Sequence, residues 1–171
     1  MRTEKHPHSD SSTGEPGDAQ LSPSALLAPR GLSRCGRDPL FAGALLAGPP
    51  VAWLWLTLAG ATAPPLAGTV AVLLFLVIYP LLEELVFRGL LQGRLLETAA
   101  GGRRLGPLSV ANLLTALLFA LAHWPRGGAL LAAGVVLPAL VFGFFRERHQ
   151  SLYGPMLLHG WYNASVLLVA L

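Results

Sequence analysis

From Leu40 onward the sequence is built almost without interruption from apolar segments long enough to cross a bilayer. A helix covers the hydrocarbon core with about 20 apolar residues, within a range of about 17–25. Five segments meet or approach that length: 40–60, 66–88, 107–123, 128–145 and 155–171. Their breaks are turn-forming: Pro64-Pro65, Gly101-Gly102-Arg103-Arg104 with Pro107, Trp124-Pro125-Arg126-Gly127-Gly128, and Arg146-Glu147-Arg148-His149-Gln150. The fold this predicts is all-α, a polytopic membrane bundle of about five transmembrane helices. Residues 89–100 are expected to continue the second helix amphipathically or to lie at the interface.

Composition supports that reading and removes others. Charged residues make up 12% of the chain, about half the share of a soluble domain. One cysteine, Cys35, excludes an intramolecular disulfide framework and a cysteine-based zinc cluster. The net charge of +3 does not point to nucleic acid, because the basic residues flank apolar runs. Residues 1–37 are rich in Ser, Pro, Gly and charge and are expected to be a disordered cytoplasmic tail ahead of a membrane-embedded domain, 38–171. No apolar h-region follows the first basic residues, so this segment does not read as a signal peptide. Cys35 falls in it without an evident partner.

Lys and Arg set the orientation. With the amino terminus inside, Arg2, Lys5, Arg30, Arg34, Arg37, Arg94, Arg103, Arg104, Arg146 and Arg148 all lie inside, and only Arg126 lies outside. This predicts a cytoplasmic amino terminus and an outer carboxyl end, the arrangement expected of a multi-pass protein of the bacterial inner membrane.

The informative residues are the ionisable ones inside apolar segments, since a charge near the bilayer centre costs roughly 2.5–3.5 kcal/mol on insertion scales. They are Glu83, Glu84, Arg88, His123 and His159, with Asn163 beside the last. Glu84 and Arg88 are spaced i,i+4, so one base meets one acid on a single helix face. A packing pair explains Glu84. Glu83, rotated about 100° away, remains for another task. Pro80 lacks an N–H and frees the Leu76 carbonyl just before the acids, which predicts a kink there. His123 alone would read as a packing residue, and His159 with Asn163 as an interhelical hydrogen-bonding pair. Three separate apolar helices each carrying acid, imidazole or amide groups favour one shared site.

Two chemistries fit that inventory, and both hydrolyse a peptide bond. In the first, a carboxylate activates water, one imidazole holds that water, and the other imidazole with the amide stabilises an oxyanion. In the second, two histidines and a glutamate bind zinc. The His-Glu-x-x-His spacing is absent, so no cofactor is expected and zinc is the weaker alternative. A non-enzymatic immunity or scaffold protein that uses these residues for helix packing is the competing reading. A proton-relaying transporter is disfavoured by the small helix count and the lack of an inverted repeat.

The three motifs resemble those of the CPBP intramembrane proteases, the CAAX prenyl protease and bacteriocin-processing (Abi) family. Glu83-Glu84-Leu85-Val86-Phe87-Arg88 is similar to its EExxxR motif, Phe119-Ala120-Leu121-Ala122-His123 to FxxxH, and His159-Gly160-Trp161-Tyr162-Asn163 to HxxxN. They occur in the expected order, and the likeness covers about residues 66–168. The resemblance implies a glutamic-type intramembrane endopeptidase with Glu83 as base, His123 positioning water, His159 and Asn163 as oxyanion hole, and Glu84 with Arg88 as support. It implies a membrane-associated peptide or protein substrate. The chain's small size is similar to that of JDVT-CTERM-type sorting enzymes, which are proposed to process C-terminal sorting signals. Many members of the family have more helices, which leaves open whether the catalytic cavity is closed by this chain alone, by a second copy or by the substrate. The five-span topology also sets Glu83 and His159 in the cytoplasmic half and His123 near the far end of its helix. That separates them by about 10–15 Å in depth.

Overall fold

The structure is a computed structural model and describes residues 26–60, 62 and 64–170. Helix α1 spans Arg30–Arg37 and α2 spans Pro39–Ala59. Helix α3 runs through Gly68–Leu96. A two-residue ladder pairs β1, Arg104–Leu105, with β2, Leu108–Ser109. Helix α4 is Val110–His149 and α5 is Tyr153–Val169. The architecture is all-α, and α2, α3 and α4 are each long and apolar enough to cross a membrane.

Helix α4 is not one rod. Gly127 and Gly128 have non-helical backbone, and Gly128 takes φ 66°, which an L side chain rarely adopts. Ser109 Oγ donates to Glu147 Oε1 at 2.6 Å although the two residues are 38 apart in sequence. In a straight helix they would be about 57 Å apart. Asn112 Nδ2 likewise reaches the Leu140 carbonyl, and Ala116 and Phe119 pack on Ala139. The helix is therefore a hairpin, with arms 110–126 and 129–149 folded back at Gly127-Gly128, where the sequence placed a break. Together with α2, α3 and α5 the two arms supply the five segments expected.

The second apolar segment continues as helix past 88 to Leu96, one of the two courses expected for residues 89–100, with Gln92 Nε2 reaching Glu147 on α4 and Arg94 pairing with Glu97 in its own last turn. The end of the expected disordered tail is corrected. Residues 30–37 form α1, and Cys35 is buried against Phe41, Phe145 and Leu158. The rest of that tail, up to residue 25, lies outside the described residues. Cys35 has a partner after all. Its Sγ lies 3.3 Å from His149 Nδ1, while His149 Nε2 lies 2.8 Å from Asp38 Oδ2. Burial pushes the Cys35 thiol up, so it stays protonated and donates to the ring.

Asp38 ties α1, α2 and α4 together. It caps α2 by accepting the Leu40 N–H at 3.0 Å, ahead of Pro39 at the first helical position. Its carboxylate also takes Arg148 and His149 from the end of α4. The Arg148 guanidinium, followed by His149 and the Leu40 amide, outweighs desolvation and holds the Asp38 carboxyl down at about 2.

Burial in this bundle is inverted relative to a soluble protein. Leu46, Leu58 and Val70 point outward, while Glu84, Arg88, Gln92, Asn112, Thr115 and Arg146 are enclosed. An apolar exterior suits hydrocarbon, and enclosed polar groups must then satisfy one another. Gln92 Nε2 donates to the Gly143 carbonyl and to Glu147 Oε1, and Arg104 reaches Glu147 Oε2 at 2.9 Å. This polar layer clamps the open end of the α4 hairpin onto α3.

Candidate active site

The acidic pair sits on a short α-helical turn, Tyr79–Glu84, between two π-helical turns, Leu74–Ile78 and Leu85–Leu91. Pro80 explains the first π turn. In the π pattern the Tyr79 N–H bonds the Leu74 carbonyl. In this register the carbonyl facing the Pro80 nitrogen, which carries no hydrogen, is that of Phe75 and not, as α-helical spacing predicts, that of Leu76. Asn163 Nδ2 fills that gap from α5, donating to the Phe75 carbonyl at 2.9 Å. One turn away α5 touches α3 through Gly160, where an added methyl would lie 2.7 Å from the Leu76 oxygen. The proline-stripped backbone of α3 is thus the docking surface that sets the height of His159. Such π turns commonly mark functional positions in helices.

The two carboxylates have different surroundings. Glu84 is fully enclosed, and its side chain meets Arg88 Nε at 3.2 Å. That contact is a charge pair whose angle falls outside a hydrogen bond, leaving Glu84 Oε2 and Arg88 Nε without a donor–acceptor match. Arg88 is otherwise held by the Ala139 carbonyl at 2.9 Å and by the faces of Phe119 and Phe142 at 4.7 and 5.5 Å. Glu83 retains 18% side-chain exposure against 0% for Glu84. Of the two acids, only Glu83 can be reached by a water or a substrate.

His159 bridges them. Nδ1 lies 2.8 Å from Glu84 Oε1, and Nε2 lies 3.7 Å from Glu83 Oε2. Phe142 stacks on the ring at 5.1 Å and fixes its plane. Phe119 stands between the imidazoles, 4.4 Å from His123 and 5.8 Å from His159, centroid to centroid. His123 Nδ1 lies 2.8 Å from the Phe119 carbonyl. A carbonyl only accepts, so Nδ1 carries a hydrogen, and in the neutral ring Nε2 then keeps its lone pair.

The structure therefore draws Glu83, Glu84, Arg88, His123 and His159 into one cluster, with Asn163 one turn beyond His159. The depth mismatch expected from sequence disappears for a physical reason. Because α3 extends to Leu96, Glu83 is near its middle. The first arm of α4 runs antiparallel to it, with Phe119 beside Phe87 and Arg88. His123 is then one turn further on, at the level of the acids.

One residue was missed. Arg126, read as a lone outer-loop charge, donates Nη1 to Glu83 Oε1 at 3.2 Å. Its spacing of three residues from His123 was the available signal, since i,i+3 positions share a helix face. Among the described residues, no three His, Cys, Asp or Glu side chains gather in a metal-ligand set.

A bundle that is apolar outside and holds a carboxylate–imidazole site within defines a helical membrane protein with the equipment for hydrolysis. Residues 65–165 match the family of Rce1-like type II CAAX prenyl endopeptidases, and the chain belongs to that family. It is accordingly an integral membrane peptidase, and the match spans all six site residues. No curated protein and no solved structure matches the chain.

Proposed function

We propose that the chain is a glutamic-type intramembrane endopeptidase in which Glu83 activates the attacking water. The observation that carries this reading is the difference in access between adjacent acids. Glu84 is sealed by Arg88 and His159, whereas Glu83 stays partly exposed beside His159. Glu83 takes a proton from water while His123 Nε2 accepts that water's other hydrogen and fixes its position. The hydroxide adds to the scissile carbonyl. His159 Nε2 and the second N–H of Asn163, the one not given to Phe75, stabilise the oxyanion. Donation from Nε2 requires the doubly protonated ring, since Nδ1 is committed to Glu84. Collapse of the adduct breaks the C–N bond, and Glu83 returns its proton to the leaving amine. Glu84 and Arg88 act as positioning residues, and the reading needs no metal.

The substrate in this proposal is a membrane-associated peptide or protein whose scissile bond enters between α3, α4 and α5. A C-terminal sorting signal fits a chain of this size. In this reading the amino terminus faces the cytoplasm and the membrane is a bacterial inner membrane; the clustering of basic residues at the α1 and α4 ends supports that orientation through the positive-inside bias. The test is co-expression with candidate tail-bearing substrates, comparing wild type with Glu83→Gln by mass of the released product. Loss of product with Glu83→Gln, at unchanged membrane insertion, is the expected result. Equal product from both proteins refutes the assignment of the base.

A further inference from the structure

At the end of the bundle where α1 stops, α2 begins and α4 ends, the surface carries a notch of about 360 Å³ lined by Ser33, Arg34, Arg37, Asp38, Arg148 and His149. Three guanidiniums face one carboxylate there. The carboxylate is already occupied. Asp38 is 6% exposed and accepts Arg148, His149 and the Leu40 N–H. Arg34 gives Nη1 to the His149 carbonyl at 2.8 Å and keeps its remaining donors. Arg37 is exposed and forms no ion pair among the described residues. Arginine at a helix C-terminus is ordinary, because it complements the helix dipole. That explains one cation per helix end. It does not explain two helix ends turned into one concavity with a charge excess of about two. The border of the notch is also informative. Leu32 on α1 and Leu40 in the first turn of α2, each next in sequence to a lining residue, are more than half exposed. Exposed leucines beside unneutralised arginines, level with the first residue of a membrane span, match the boundary between acyl chains and headgroups.

We infer that this notch binds the phosphate of a net-anionic phospholipid headgroup, with Arg34 and Arg37 as the principal donors and Leu32 and Leu40 against the acyl chains. An inorganic phosphate ion would satisfy the same donors without the leucines, so the two sources are separable by experiment. The notch shares no lining residue with the acidic pair's cluster, and the inference does not depend on the peptidase reading.

The test uses the full chain in a neutral detergent, titrated with phosphatidylglycerol, phosphatidylcholine or inorganic phosphate, with bound lipid counted by native mass spectrometry. Each guanidinium near an anionic lipid contributes about fivefold in binding. Phosphatidylglycerol is therefore expected to bind at least tenfold more tightly than phosphatidylcholine. Arg37→Gln should lower its affinity about fivefold and Arg34→Gln/Arg37→Gln roughly 30-fold. The control pair Arg94→Gln/Arg103→Gln removes two arginines elsewhere and should stay near wild type. Arg37 makes no contact that folding needs, so the single variant holds even if the double variant unfolds. Three results overturn the inference: equal binding of the two lipids, equal loss in the control pair, or retention of inorganic phosphate with no preference for the anionic lipid.

Discussion

His159 Nδ1 stands 2.8 Å from Glu84 Oε1, and this single contact aims the other ring nitrogen at Glu83. Glu84 is thereby a positioning residue whose removal is expected to act on two properties. Glu84→Ala leaves Arg88 enclosed without its counter-charge, and breaking one half of a buried pair costs about 3–5 kcal/mol. Glu84→Gln keeps the volume and an oxygen for His159 and should lose less stability. Glu83→Gln should lose almost none, because Glu83 is partly open, yet it should lower kcat by about 100- to 10,000-fold as loss of a general base. Thermal unfolding in detergent, run beside product formation, checks the split. A Glu83→Gln protein as unstable as Glu84→Ala would mean that both acids serve packing.

Arg126 sits 3.2 Å from the oxygen of the proposed base and is itself largely exposed. An exposed pair contributes about 0–1 kcal/mol, so Arg126→Gln should barely move the unfolding temperature. It should instead raise turnover a few-fold, since a carboxylate engaged by a guanidinium is a weaker acceptor for the water's proton. Salt supplies an independent reading. Screening of the pair should speed the wild type as ionic strength rises and leave Arg126→Gln flat. Loss of turnover as complete as in Glu83→Gln would instead put Arg126 in contact with the substrate.

The spans were legible because apolar length is a direct imprint of bilayer thickness, and the reversal at Gly127-Gly128 was legible because Gly128 takes a positive φ that favours glycine. The pairing of Glu84 with Arg88 was legible from helical spacing. What the sequence hid were groups whose meaning depends on tertiary neighbours. Glu147 and Arg146 read as loop charges, yet they are enclosed by Ser109, Gln92 and Arg88. The π turns left no local signal beyond Pro80. Cys35 read as part of a tail because its partner, His149, is 114 residues away.

The Asn163 amide and the Gly160 contact make a paired prediction about α3. Asn163→Leu leaves the part-buried Phe75 carbonyl without this donor, a loss of about 1 kcal/mol. Gly160→Ala drives a methyl against the Leu76 oxygen, and overpacking of this kind costs typically about 1–3 kcal/mol. Asn163→Leu also removes a proposed oxyanion donor, so it should lower kcat about 100- to 1,000-fold beyond its stability loss. Gly160→Ala displaces all of α5, including His159, and should reduce kcat more than its stability loss explains. Unfolding temperature and turnover measured on both variants check this. An unshifted kcat in Gly160→Ala would show that α5 has slack at that contact.

Asp38 offers a prediction with a defined pH window. Its carboxyl is held at about 2, below the ordinary 3.8, chiefly by the Arg148 guanidinium and further by His149 and the Leu40 amide. A group whose pKa is lower folded than unfolded adds stability above its unfolded value and loses it as pH falls through the folded value. The Asp38 contribution is therefore complete above about pH 5 and disappears toward pH 2. Asp38→Asn keeps the shape of the α2 cap but not the charge that holds Arg148 and His149. Wild type should melt several degrees above Asp38→Asn at pH 6, and the two curves should converge near pH 2. Circular dichroism melts in detergent from pH 7 to pH 2 provide the measurement. A gap that persists unchanged at pH 2 would show that Asp38 stabilises the end of α4 by shape and not by charge.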